Sequence, residues 1–206
     1  KLFKFFGYTS TISFYIAYIL ISFLIIGLWL VFPNTILFLF LIVASYHFGK
    51  EDTVFYFKRK FLLSEILFFL KGSAVIFAPL LFQRNETNEI FRILNFQVFE
   101  SQIFNDQILI MLLFLSFVSS LCISNKQTIS LKGIMIMDFL SLIILNFFLT
   151  PVLAFTLYFC FLHSIRHSIK LIFELDKSIK NGLRTFISRA IPLTLVTGVI
   201  FLLAIF

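Results

Sequence analysis

The chain has 206 residues, 60% of them hydrophobic and only 13% charged, with a net charge of +7 and a mean hydropathy of +1.04. Soluble domains carry about 25% charged residues, so water is excluded as the solvent for most of this surface. No nucleic-acid-binding motif accompanies the positive charge, which reads instead as membrane topology and contact with anionic lipid.

Hydropathy predicts seven spans, at 11–32, 34–49, 61–82, 105–123, 131–150, 152–173 and 189–206. The fold class is therefore all-α: a polytopic integral membrane helical bundle forming one transmembrane domain. Helices satisfy their own backbone hydrogen bonds in hydrocarbon. A β-barrel would alternate apolar and polar residues, and "FYIAYILISFLIIGLWLVF" (14–32) does not.

The connectors differ in character. Those at Pro33 and Pro151 are very short. Charged "KEDTVFYFKRK" (50–60) follows the second span, and amphipathic "RNETNEIFRILNFQVFESQIFND" (84–106), suited to an interface, follows the third. Cys122 and Cys160 fall inside spans and read as small hydrophobes. The chain starts with Lys1 instead of Met, and its last span runs to Phe206, so trimming at both ends is expected.

Basic residues assign the sides. Lys1 and Lys4 precede the first span; Lys50, Lys58, Arg59 and Lys60 follow the second, and Lys126 and Lys132 follow the fourth. Arg166, Lys170, Lys177, Lys180, Arg184 and Arg189 cluster between the sixth and seventh. The opposite loops hold Arg84 and Arg92 among Glu86, Glu89, Glu100 and Asp106. By the positive-inside rule the basic loops are cytoplasmic, as in a protein of the cell inner membrane.

This topology brings the three histidines to one depth. His47 ends the second span, while His163 and His167 lie toward the inner end of the sixth. Four residues apart on a helix, His163 and His167 share a face. Such a pair can offer two imidazole nitrogens to one metal, and spacing alone leaves zinc, copper and iron open. Glu65 and Asp138 share that leaflet. Each would either accept a hydrogen bond from a ligating imidazole or pair with Lys71, Arg166 or backbone. Tyr46, Phe48, Tyr158 and Phe161 flank the histidines, with Phe55 and Phe159, and suit a channel for an apolar substrate entering from lipid.

These segments resemble a known family. "SYHFGKED" (45–52) and "PVLAFTLYFCFLHSIRHSIK" (151–170) are similar to the signature segments of the Brp/Blh family of membrane β-carotene 15,15′-dioxygenases. "EILFFLKGSAVIFAPLLFQRNETNEIFRILN" (65–95) resembles its middle region and "SRAIPLTLVTGVI" (188–200) its last helix. The resemblance implies an iron(II) enzyme that splits the central double bond of β-carotene with O₂ into two retinals, which pass to a retinal-binding protein such as a rhodopsin. It also implies that His47, His163 and His167 are iron ligands. The family carries a further histidine in a PHG-type motif before the first span seen here, and this chain has no such motif.

Other classes fit less of the sequence. A membrane desaturase would need about eight histidines in HxxxH and HxxHH boxes, and only three are present. A bundle holding haem between His47 and His163 is one alternative. A transport or assembly protein without chemistry is another.

Overall fold

In the computed structural model, residues 2–54, 63–124 and 128–205 are described. Phe55, the basic residues Lys58, Arg59 and Lys60, and also Lys1 and Lys126, lie outside them. Among the described residues all regular structure is helical. The order is α1 (Leu2–Val31), α2 (Pro33–Val54), α3 (Ser64–Phe82), α4 (Arg84–Ile93), α5 (Asp106–Ser124), α6 (Ile129–Phe148), α7 (Pro151–Leu157), α8 (Ile165–Leu175) and α9 (Ile179–Ile205). A π-helical segment, Tyr158–Ser164, joins α7 and α8 into one 25-residue rod, Pro151–Leu175.

Six helices among the described residues are long and apolar enough to cross a membrane. The seventh expected span falls within α2, which differs from the others in composition. Its apolar half runs into Lys50, Glu51 and Asp52 while still helical, so the helix continues five residues past the predicted end of the span. The sequence pattern marks where apolar character stops, and the backbone hydrogen bonds do not stop there.

The centre of the bundle is a close crossing of α2 on α3. A Cβ placed on Gly72 would lie 1.8 Å from the Ser45 carbonyl oxygen, and one on Gly49 would lie 1.8 Å from that of Phe68. Only glycine permits this backbone approach, as at small-residue interfaces of membrane helices. On the other side α3 meets α5 along Ser116, Ser119 and Ser120, all buried. Ser116 Oγ donates to the Lys71 carbonyl at 2.9 Å, which ties the two helices together.

Apolar packing is layered along the bundle. Phe68, Ile123 and Met135 fill one end, and Ala74, Ala78, Leu113, Leu142 and Tyr158 fill the middle. At the far end the connector after α3 folds back onto the bundle. Phe96 and Phe99 are buried there against Leu37, Leu80 and Leu109. Arg84 braces the connector through Asp106 at 2.7 Å and the Phe104 carbonyl at 2.9 Å. By contrast α1 exposes nearly all of Ile12–Val31, with Phe23 and Leu30 bare. Despite the single-residue link at Phe32, it does not pack tightly on α2. Outward-facing apolar side chains of this kind need a hydrocarbon solvent. Cys122 and Cys160 are exposed free thiols.

Candidate functional site

Ser45, Phe48, Gly49 and Asp52 lie at helical spacing on α2, and this face meets α3 and the π segment. Phe48 sits against the His163 ring at 4.9 Å between centroids, edge to face, and near Phe155, Tyr158 and Phe159. His47, one residue earlier, approaches His163 with centroids 5.5 Å apart. The structure thus brings two of the three histidines together from two helices.

Behind His163 is a carboxylate. Asp52 Oδ1 lies 2.9 Å from His163 Nδ1, and Tyr158 donates its hydroxyl to Asp52 Oδ2 at 2.6 Å. All three residues are buried. Tyr158 and His163 are five residues apart, which on an α-helix would point them about 140° from each other. The π segment, with i→i+5 hydrogen bonds, widens the turn and lets both reach the same carboxylate.

His167 is placed differently. It stands on α8, with its side chain 54% exposed, and its Nδ1 is 3.6 Å from Glu51 Oε2. Glu51 also accepts from Lys170 Nζ at 2.9 Å. Burial opposes ionisation of Glu51, but the Lys170 hydrogen bond and charge more than offset it, holding the carboxyl below its usual range.

Of the two alternatives for Glu65 and Asp138, an imidazole or a basic residue as partner, the structure shows basic residues beside both. Glu65 is bonded to Tyr46 and lies 3.4 Å from Lys50, on the exposed side of the α2–α3 pair. Asp138 pairs with Arg166, both mostly buried. Lys71, one of the partners expected for Glu65, donates to Thr53 Oγ1 at 3.1 Å. Of the expected channel residues, Phe48 and Tyr158 pack together at 5.8 Å. Tyr46 is drawn to Glu65 and Lys50, and Phe161 is 63% exposed. The carboxylate that meets His163, Asp52, was hidden in the charged run after the second span. Its signal was the acid that ends "SYHFGKED" (45–52).

Donor chemistry decides whether these residues suit a metal. With Nδ1 of His163 engaged by Asp52, Nε2 is the nitrogen left for a ligand, the arrangement usual for metal-binding imidazoles. The His47 ring is a second imidazole close by, with its centroid 5.5 Å from that of His163. His47 and His163, with Asp52 behind the second ring, therefore suit part of a metal site. Among the described residues, no three His, Cys, Asp or Glu side chains are drawn into one metal cluster.

Comparison with known proteins decides the lineage. The sequence profile of the family described as beta-carotene 15,15'-dioxygenase matches residues 3–206. The chain belongs to this family. A beta-carotene 15,15'-dioxygenase from uncultured marine bacterium 66A03 is 30% identical over 151 residues, 73% of this chain and 52% of the relative. The dioxygenase-family chain thus spans about half the length of that relative. No solved structure matches it.

Proposed function

We propose that this chain carries the activity for which its family is named, oxidative cleavage of the central double bond of β-carotene to two retinals. The observation behind this reading is the meeting of His47 and His163, with Asp52 holding the second imidazole, in a chain of the dioxygenase family. His47, His163 and His167 would hold iron(II), which when bound would supply the O₂ chemistry.

The chain's own residues do the rest. Asp52 keeps a proton at His163 Nδ1 and fixes the tautomer; Tyr158 holds the second carboxylate oxygen, so Asp52 cannot swing away. Phe48 and Phe159 cover the imidazole with hydrocarbon, backed by Phe155, which packs on both of them. A dry apolar surround suits a polyene substrate that water does not dissolve. The His47 and His163 rings already touch edge to face, so a macrocycle between them would require α2 and the π segment to separate. That favours non-haem iron over the haem alternative.

We assign the basic loops to the cytoplasmic side of the cell membrane, with substrate entering from lipid and retinal leaving to a retinal-binding protein. Expression in bacteria that make β-carotene tests the activity. Loss of colour with appearance of retinal supports it, and unchanged carotenoid with well-folded protein opposes it.

A further inference from the structure

Beyond Phe48 lies a cavity of about 280 Å³ between α2, α3, α4 and the start of α7. Phe48 stands at its inner end against His163, and Phe155 packs on Phe48. Ala44 is one turn further along α2, and Pro79, Thr87 and Ile90 line the opposite end. The α2 residues that line it run from Phe40 to Phe48, eight positions or about 12 Å of helix. Thr87 Oγ1 donates to the Pro79 carbonyl at 3.0 Å and to that of Gln83 at 2.7 Å, fastening α4 over this end. With its hydroxyl engaged there, Thr87 adds little polarity to an otherwise hydrocarbon wall.

We propose that this cavity is an end stop for the substrate. It takes one terminal hydrocarbon ring of a carotenoid with the methylated chain beside it, and the depth from Ile90 to His163 selects which double bond reaches the histidines. The inference rests on the cleavage reading above and adds where the substrate is measured. The volume is at the small end of ligand cavities. It suits a ring with a short length of chain and is too small for a whole carotenoid, whose remainder must extend past His163. The wall has no free donor to meet a ring hydroxyl, which would be buried unpaired. Unsubstituted rings are therefore preferred.

The chain's single tryptophan gives a readout that needs no metal. Trp29 is partly buried against the aromatic cluster beside this cavity, together with Leu41 and Phe91 of its lining. β-Carotene or retinal added to metal-free protein in detergent should quench its emission. Ile90→Phe, which shortens the cavity, should weaken that binding at least tenfold; Ile90→Ala should not. Val152→Phe, from the α7 wall, is a second blocking variant should the first fold poorly.

With iron supplied, wild-type protein should give retinal alone. Ile90→Phe should give unequal products, a shorter aldehyde from the inserted end and a longer apocarotenal. Wild-type quenching with retinal as the sole product from both blocking variants would overturn the end stop while leaving cleavage intact. A wild-type cavity that retains phospholipid and takes up no carotenoid would overturn it too, marking a seat for a lipid acyl chain. Quenching lost in Ile90→Phe, with no cleavage by iron-loaded wild type, would support the cavity and sink the cleavage reading alone.

Discussion

Asp52 and His163, 111 positions apart in sequence, meet at 2.9 Å through Oδ1 and Nδ1 in the buried centre of the bundle. Their contact joins α2 to the π segment, and Tyr158 closes it from the same helix. Outer partners of metal-bound imidazoles commonly contribute about 10–100-fold to metal affinity or activity. Asp52→Asn should therefore lower iron content and retinal yield by one to two orders of magnitude, with the helical spectrum unchanged. Tyr158→Phe leaves the Asp52–His163 contact in place and removes only the bond to the other carboxylate oxygen, so it should have a smaller effect. Iron analysis of both purified variants checks the ranking.

The crossing of α2 on α3 makes a separate prediction about stability. Gly72→Ala and Gly49→Ala each place a methyl carbon against backbone, where no side chain can move aside. Overpacking typically costs about 1–3 kcal/mol, and backbone contacts at 1.8 Å should exceed that range. Gly133→Ala, which meets nothing within 4 Å, is the control. Thermal aggregation in detergent should set the first two well below wild type and leave the third beside it.

Much of this architecture was legible in the sequence. Hydropathy located the spans, and the direction of the second and sixth put His47 and His163 at one depth, as their 5.5 Å approach bears out. The π segment was not legible, because a run such as "YFCFLHS" carries no local mark of a widened turn. Tyr158 was expected beside the histidines as a channel residue, and its bond to Asp52, which depends on the widened turn, was not. Asp52 was lost to the connector because charge was taken as the end of the helix. Glu65 and Asp138 stood at a suitable depth, but depth does not determine the face of a helix: Asp138 takes Arg166, one of the partners expected for it, and Glu65 lies by Lys50, which was not.

The Asp138–Arg166 pair bears on how α6 holds α8. Both side chains are less than 15% exposed, and removing one partner of such a pair typically costs about 3–5 kcal/mol because the other charge stays buried. Arg166→Met alone should destabilise strongly. Combined with Asp138→Leu it should recover much of the loss. Equal melting temperatures for the single and double variants would show that the pair contributes nothing of this kind.

Sidedness follows from the basic loops. A reporter fused after Lys180 should read as cytoplasmic, and one after Asn88 as the opposite face. The same side for both would break the alternation of spans on which the orientation depends.

The most direct test of the account is product analysis in bacteria that accumulate β-carotene. The gene should be expressed with any residues that precede Lys1, as wild type and as His47→Ala and His163→Ala. Retinal from the wild type, with at least a hundredfold less from either variant at equal membrane levels, is the predicted result. Retinal at wild-type yield from His163→Ala would contradict a reaction centred on the two histidines that α2 and the π segment bring together.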